Sequence, residues 1–392
     1  MENENNKNSK NGKIGIDELL VLAGRSNASD LLLKVGRPPI FRINGKLVKS
    51  SKLPPLGQAD CVEYANHLMN DWQKKKFNQD FEMDTAYSLS DNFLEVKNGV
   101  SPETDITYSP PKSQNSRFRI NIFKQLGNVS IVIRVINTEI LTFEQLNLPS
   151  IIKSITSEER GLVIVTGTTG SGKSTTLASM VDYINANKSK HIITIEDPVE
   201  YIHTDKKGLI NQREVGVDTR SFNNALRSAL REDPDVILVG EMRDLETIEL
   251  CLTAAETGHL VFATLHALDA QETVNRILST CPTNMQDQIR YQLSQTLKAT
   301  ISQRLIPTAD GSKRVPAVEV MICTGRVKEL LSIPERTKEI TDAIADGKLH
   351  YGMQTFDQCL LDLYKEKTIS YEEAMNQATN KEDLDLKIRG VM

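Results

Sequence analysis

The first 137 residues alternate short apolar runs with turn residues, which is typical of a small α+β domain. Apolar residues recur at helical spacing over 14–24, and Gly24 predicts the end of that helix. A longer amphipathic pattern predicts a second helix over 61–77. Two hairpins are predicted where Gly and Asn adjoin between apolar runs, at 38–50 and 117–136.

Three segments lack such a pattern, and each predicts a tail or a connection. Residues 1–13 are polar throughout and predict a disordered tail rather than a signal peptide. Residues 96–116 carry several turn residues and predict a long surface loop. Residues 138–150 predict a linker, so the N-terminal domain is expected to span 14–137.

From residue 151 the pattern changes, because short β-rich runs alternate with amphipathic helical runs as far as 265. This alternation predicts an α/β domain over 151–392 with a mostly parallel sheet between helices. Beyond 270 a helical region is predicted, in which a capping-box pattern at Ser370 opens a late helix. Residues recurring every fourth position predict one buried helix face, namely Ile289, Leu293, Leu297, Ile301 and Leu305.

Composition narrows the classes of partner and compartment. The chain has 392 residues and a formal net charge of -5, which gives no electrostatic support for a nucleic-acid partner. Its five cysteines form no C-x-x-C pair, so a reducing, cytoplasmic compartment is expected. The longest apolar runs, such as 162–165, are far shorter than the roughly 18 residues of a membrane helix. Any work at a membrane is therefore expected to go through a partner.

The segment GTTGSGKS, residues 167–174, matches the phosphate-binding pattern G-x-x-x-x-G-K-[ST] between a predicted strand and a predicted helix. Its glycines let backbone N–H groups point at phosphate oxygens, and the helix N-terminus adds a favourable dipole. Lys173 is expected to reach the β- and γ-phosphates of ATP, and the Ser174 hydroxyl to bind Mg²⁺. The predicted nucleotide-binding residues are Gly167, Thr168, Thr169, Gly170, Ser171, Gly172, Lys173 and Ser174.

Acidic residues follow two further predicted strands. Glu241 comes after an apolar strand, where a carboxylate can orient and deprotonate an attacking water; the alternative is an exposed Glu at a strand end. Gly240 precedes it, where P-loop enzymes usually have an Asp that assists the metal. Glu196, Asp197 and Glu200 follow another strand, and either assist Mg²⁺ or the water, or form a capping or salt-bridging set.

His259 and His266 lie seven residues apart at the two ends of the apolar run LVFATL. On a strand this separation spans roughly 23 Å and turns the two rings to opposite faces, so they cannot share a metal ion. His266 is at the carboxyl end, where α/β sheets bind ligands, and is predicted to sense the γ-phosphate or to contact the acidic cluster. His259 is predicted to be structural or to couple domains.

The ordered motifs GTTGSGKSTT, ITIEDPVEY, INQREVGVDT, ALREDPDVILVGEMRD, TGHLVFATLH and ISQRL resemble the secretion ATPases, in particular the PilT/PilU-type ATPases of type IV pilus retraction. The resemblance runs from about residue 14 to 390. It implies a RecA-like P-loop ATPase core with a smaller PAS-like N-terminal domain. It further implies a cytoplasmic homohexamer that hydrolyses ATP to drive pilus retraction for twitching motility, beside an inner-membrane pilus platform protein.

The resemblance adds site residues to those read from the pattern. It extends the nucleotide-binding segment to Thr175 and Thr176. It also implies that arginines of the N-terminal domain complete the site, and three residues of the second hairpin are candidates: Arg117, Arg119 and Arg134. An arginine at the γ-phosphate neutralises charge in the transition state, whereas the alternative for each is an ordinary surface arginine.

Several functional alternatives stay open. The chain has Leu32 where the family commonly has His, and TKEITDAIADGK, 337–348, in place of the usual C-terminal motif of retraction ATPases. It is therefore either an independent motor or an accessory PilU-like motor that works with a paralogous ATPase. A RecA-like nucleic-acid translocase and a non-hydrolysing scaffold are further readings. The charge disfavours the first, and the presence of both Lys173 and Glu241 disfavours the second.

Overall fold

The computed structural model describes residues 14–26, 28–43, 45–50, 52–89, 117–136 and 139–390. The predicted tail 1–13 and the predicted loop 96–116 lie outside these residues. The chain divides into two compact units. The first comprises Met1–Glu139 and Pro198–Ile202, and the second comprises Ile140–Asp197 and His203–Met392.

The first unit contains a six-stranded antiparallel sheet of order β3-β2-β1-β6-β5-β4. Apolar residues of alternate positions, such as Phe118 and Ile120 of β5, face a core shared with its helices. The elements are α1 (Ile16–Arg25), β1 (Ala28–Lys34), β2 (Ile40–Ile43), β3 (Lys46–Lys49), α2 (Gln58–Leu68), α3 (Asp71–Asp80), β4 (Glu82–Ser88), β5 (Arg117–Gln125) and β6 (Asn128–Ile136).

Both predicted hairpins are confirmed, since β2 pairs with β3 and β5 pairs with β6. Two helix predictions are wrong in detail. The first helix continues through Gly24 to Arg25 and is capped at Ser26. The predicted helix over 61–77 is two helices, because Asn70 interrupts it: its side chain accepts a hydrogen bond from the Gln73 backbone and caps α3.

The second unit contains a seven-stranded sheet of order β13-β12-β7-β11-β10-β8-β9, parallel except for the β12–β13 pair. Its strands are β7 (Gly161–Thr166), β8 (His191–Glu196), β9 (Leu209–Glu214), β10 (Val236–Val239), β11 (Leu260–Leu265), β12 (Leu297–Pro307) and β13 (Arg314–Ile322). The helices are α4 (Ile151–Thr156), α5 (Lys173–Asn187), α6 (Phe222–Ala229), α7 (Leu245–Glu256), α8 (Ala270–Thr280), α9 (Gln286–Thr296), α10 (Gly325–Ser332), α11 (Ile340–Asp346), α12 (Lys348–Tyr351), α13 (Phe356–Lys365), α14 (Tyr371–Gln377) and α15 (Lys381–Ile388).

Two apolar cores flank this sheet. One includes Met180 and Ile184 of α5, and the other includes Ile248 of α7 and Val274 of α8. The central strands β7 and β11 are buried along their whole length, as expected for a parallel sheet covered on both faces. The predicted α/β alternation and the late helix opened by Ser370 are confirmed.

The helix predicted through Leu297, Ile301 and Leu305 is wrong. Helix α9 ends at Thr296, and these three residues lie on β12, which is followed by β13. A spacing of four is even, so it places residues on one face of a strand as readily as on one face of a helix. Within the described residues, no helix is both long and apolar enough to cross a membrane.

Candidate active site

The predicted phosphate-binding loop leaves the carboxyl end of β7 and ends where α5 begins at Lys173. Gly167 opens the loop with a φ of +141°, which residues other than Gly rarely adopt. A Cβ at this position would also overlap the Gln303 carbonyl oxygen and the Ser171 side chain. The loop is therefore pressed against β12, which runs beside β7.

Lys173 turns back over the loop. Its Nζ atom donates hydrogen bonds to the carbonyl oxygens of Gly167, at 2.8 Å, and of Thr168, at 3.0 Å. A cavity of about 510 Å³ opens beside the loop. Its lining residues are Gly167, Thr168, Thr169, Gly170, Ser171, Leu268, Gln303, Arg304, Leu305, Arg314 and Gln377.

Two buried polar atoms border this cavity. Ser171 Oγ and Gln303 Oε1 have no hydrogen-bond partner within the part of the chain that the structure describes. The Gln303 amide donates through Nε2 to Thr176 Oγ1 at 2.9 Å, and Thr176 is only 2% exposed. The resemblance placed Thr176 among the nucleotide-binding residues. In the structure its buried hydroxyl accepts the hydrogen bond from Gln303. Ser174, in contrast, is exposed in the first turn of α5.

Glu241 follows the end of β10 and lies between two basic side chains. Arg243 Nε donates to Glu241 Oε2 at 2.6 Å, and His266 Nε2 lies 3.4 Å from Glu241 Oε1. The Glu241 side chain is 18% exposed, and that of His266 is 43% exposed. Because β11 separates β7 from β10, His266 comes between the loop and Glu241 along the edge of the sheet.

A side chain at Gly240 would be crowded at the end of β10. A Cβ there would lie 3.1 Å from the Ile195 carbonyl oxygen and 3.3 Å from Glu196 Cα. The Gly240 carbonyl accepts a hydrogen bond from the Thr264 hydroxyl, which fixes it against β11. A larger residue here would require the end of β8 to shift by a few tenths of an ångström.

The three acidic residues at the end of β8 and after it differ in their surroundings. Glu196 ends β8, and its Oε1 accepts hydrogen bonds from Thr194 at 2.7 Å and Gln212 at 3.4 Å. Asp197 is exposed and free to face solvent. Glu200 belongs with Pro198–Ile202 to the first unit.

His259 precedes β11 at the opposite edge of the sheet. Its Nδ1 lies 2.9 Å from the Ala254 carbonyl oxygen and its backbone N–H donates to the same oxygen, so it closes the end of α7. Its own carbonyl accepts a hydrogen bond from Gly161. These contacts support the structural role predicted for His259.

The three candidate arginines lie in the first unit. Arg119 of β5 is directly opposite Arg134 of β6, which in turn is opposite Asp30 of β1. Arg134 Nε forms an ion pair with Asp30 at 3.1 Å. Arg117 Nε donates to the Val199 carbonyl at 2.6 Å and Nη1 donates to Ser88 at 3.1 Å.

The donors of the loop suit a nucleotide phosphate with its metal. The Ser171 hydroxyl lines the cavity, and Lys173 at the N-terminus of α5 turns back over the same loop, so positive and donating groups lie together there. Within the described residues, no group of three or more His, Cys, Asp or Glu side chains could hold a metal ion by itself. Ser174, which the sequence predicts as the Mg²⁺ ligand, lies at the start of α5 beside the loop.

Residues that sequence reasoning did not assign also border the site. Gln303 and Arg304 line the cavity, and both lie in the quoted motif ISQRL. Because the sequence wrongly predicted a helix over this motif, it did not place Gln303 and Arg304 beside the loop. Arg243 could have been found from the sequence, because it is a charged residue two positions after the candidate base Glu241, with which it pairs.

A family model described as "Type II/IV secretion system protein" matches residues 103–383. The chain is 45% identical over 363 residues to the type IV pilus retraction ATPase PilT of Pseudomonas aeruginosa, covering 93% of this chain and 98% of the relative. It is 39% identical over 382 residues to the type IV pilus ATPase PilU of the same organism, covering 95% of this chain and 91% of the relative.

A solved structure has the same fold. A crystal structure of the pilus retraction motor PilT with bound ADP aligns with a TM-score of 0.81 and 41% sequence identity. The alignment covers 95% of this chain and 99% of the solved one. The similarity therefore spans both units of the chain.

Proposed function

Because the chain belongs to the type II/IV secretion system protein family, and within it to the PilT/PilU branch, we propose that it hydrolyses ATP to drive retraction of a type IV pilus. One observation carries this proposal: the phosphate-binding loop, His266 and Glu241 follow adjacent strands β7, β11 and β10 of one parallel sheet. This is the edge at which such sheets bind ligands.

The residues divide the work of hydrolysis. Backbone amides of the loop and the start of α5 hold the phosphates, and Lys173 exchanges its two carbonyl partners for the β- and γ-phosphate oxygens. Glu241 accepts a proton from the attacking water, while Arg243 holds one of its oxygens and so fixes its orientation. Ser174 would hold a Mg²⁺ ion, which would supply positive charge to neutralise the phosphates.

The assembly is proposed from the relatives. PilT is described as a pilus retraction motor, and a motor that pulls a filament needs a base against which to act. We place this chain in a homohexamer at the cytoplasmic side of the pilus base, against an inner-membrane platform protein. The arginines of β5 and β6 are proposed to complete the nucleotide site. Arg119 is the preferred candidate because Arg117 contacts Val199 and Ser88 and Arg134 pairs with Asp30.

The enzymatic part is tested on the purified full chain. Lys173→Ala is expected to fold and assemble normally but to lose ATP hydrolysis, measured as phosphate release. Lys188→Ala is the matched control, because Lys188 follows the other end of the same helix and pairs with Glu159. Unchanged turnover of Lys173→Ala would refute the assignment of the loop. Stimulation of hydrolysis by DNA or RNA would favour a nucleic-acid translocase instead.

The biological part is tested by deleting the gene and counting surface pili. Excess pili together with lost twitching support retraction, whereas loss of all pili indicates extension. Complementation with the Lys188→Ala gene should restore twitching, and complementation with Lys173→Ala should not. A defect seen only when a paralogous ATPase gene is also deleted identifies the accessory role, which the similarity to PilU leaves as the second candidate.

A further inference from the structure

Glu319 of β13 is a buried carboxyl group outside the catalytic set described above. The residue is 4% exposed, and its Oε1 accepts a hydrogen bond from the Ala270 backbone N–H at 2.8 Å. Burial raises the pKa of this carboxyl to about 7. Burying a carboxyl group costs free energy, so buried carboxyl groups in proteins usually form specific hydrogen bonds.

What Glu319 holds is the first residue of α8. The turn before this helix, residues 266–269, carries His266, which lies against Glu241, and Leu268, which lines the nucleotide cavity. Local caps stabilise the turn from within, since Asp269 accepts a hydrogen bond from the Glu272 backbone. Glu319 reaches the helix from a different part of the chain, and its contact ties the turn to the sheet.

On its other side Glu319 adjoins the strand of the phosphate-binding loop. It is directly opposite Ser302 of β12, which is in register with Thr166 of β7. The Thr166 hydroxyl donates to Ser302 Oγ at 3.0 Å, and Thr166 precedes Gly167. All three residues are buried, so one row of polar side chains runs from the loop strand to the residue that anchors α8.

We propose that Glu319 is a positioning residue whose carboxyl group anchors the N-terminus of α8 and thereby keeps His266 against Glu241 and Leu268 at the nucleotide cavity. The inference rests on the proposed ATPase activity for its catalytic consequence. In this proposal Glu319 affects the reaction through His266. Loss of the anchor should therefore lower kcat more than it changes the KM for ATP.

The test is a double-mutant cycle with two matched substitutions. Glu319→Gln keeps an acceptor for the Ala270 N–H, whereas Glu319→Leu removes it and keeps a side chain of similar size. Glu319→Leu should lower kcat about tenfold, within the range of coupling between contacting groups, and change KM less than about threefold. Glu319→Gln should stay within about threefold of wild type. In a His266→Ala background, Glu319→Leu should change kcat less than about twofold.

The cycle has defined contrary results. An equal loss of kcat from Glu319→Leu with and without His266 would overturn the proposal, as would an equal loss in Glu319→Gln and Glu319→Leu. If Glu319→Leu fails to fold, Ala270→Pro removes the N–H from the other partner at a helix position that tolerates Pro. Ala270→Pro must then show the same loss, and a wild-type kcat would overturn the proposal.

Hydrogen–deuterium exchange separates this inference from the proposed function. Exchange over 266–272 should become faster in Glu319→Leu and remain near wild type in Glu319→Gln, whether or not the protein hydrolyses ATP. An inactive wild-type protein with that exchange pattern would refute the ATPase function and leave the anchor intact. Unchanged exchange in Glu319→Leu would refute the anchor.

Discussion

His266 Nε2 lies 3.4 Å from Glu241 Oε1, while Arg243 holds the other carboxylate oxygen at 2.6 Å. The candidate base is thus clamped between a permanent cation and an imidazole at the end of the neighbouring strand. This arrangement gives His266 a partner that the sequence did not indicate, because His266 was expected at the phosphate or at the acidic cluster after β8.

Glu241→Gln should bind ATP yet hydrolyse it about 10²- to 10⁴-fold more slowly, because the amide cannot accept the proton of the attacking water. Phosphate release measures the rate, and a fluorescent ATP analogue measures binding. Hydrolysis at the wild-type rate would remove Glu241 from the role of base.

His266→Ala should lower kcat about ten- to a hundredfold, since Glu241 loses the group that orients its Oε1. His259→Ala is the matched control, since His259 lies just before β11 and His266 just after it. It should lower the melting temperature by a few degrees, through loss of the contact at the end of α7, and keep turnover. Equal turnover in the two variants would contradict the distinction between the histidines.

Gly240→Ala should destabilise the protein by about 1–2 kcal/mol and slow hydrolysis, because its methyl group presses on the end of β8. Gly325→Ala is the control. A Cβ at Gly325 meets nothing within 4 Å, and Ala favours the helix that begins there. Chemical denaturation of both proteins measures the difference, and equal stability would show that β8 yields without cost.

Arg119→Ala should lower kcat about a hundredfold or more if Arg119 reaches the γ-phosphate. Arg42→Ala is the control, because Arg42 pairs with Asp30 at 3.3 Å in the same sheet and has no proposed contact with the γ-phosphate. This variant should leave kcat nearly unchanged. Single-turnover hydrolysis with the assembled protein is the measurement. A loss shared by both variants would point to the stability of the sheet rather than to catalysis.

The stability of the protein should fall with rising pH through Glu319. Burial and Asp269 raise the pKa of this carboxyl, and the N–H groups of Ala270 and Phe356 together with Arg304 lower it, so that it lies at about 7 against an ordinary 4.5. The folded chain therefore keeps a proton that the unfolded chain releases between these values, so the stabilisation is full at low pH and is lost as pH rises through about 7. Between pH 5 and 8 the wild type should lose about 2–3 kcal/mol relative to Glu319→Gln. Unfolding both proteins at the two pH values checks this, and parallel curves would contradict it.

The sequence predicted the α/β alternation and the residues at the carboxyl ends of β7, β10 and β11, because local apolar runs and turn residues specify these features. It failed where a pattern fits two structures. Apolar residues at every fourth position, such as Leu297 and Ile301, fit one face of a helix or of a strand. Pairing of this segment with β7 makes it a strand.

Long-range contacts account for the remaining gaps. Nothing near Glu319 in the sequence indicates that its carboxyl reaches Ala270, and nothing near Glu241 indicates that His266 contacts it. The role of the acidic residues stays a prediction. Glu196 belongs to the second unit and Glu200 to the first, which the sequence did not indicate.

Strand β7 has a consequence for how the protein is made. It pairs on both sides with strands that are synthesised later, β11 and β12, and Gly167 is bordered by the carbonyl of Gln303. A nascent chain that has not yet extended past Pro307 lacks one wall of the phosphate cradle, although the whole GTTGSGKS motif has long emerged. We therefore expect the ability to hold a nucleotide to be acquired only after β12 has been synthesised.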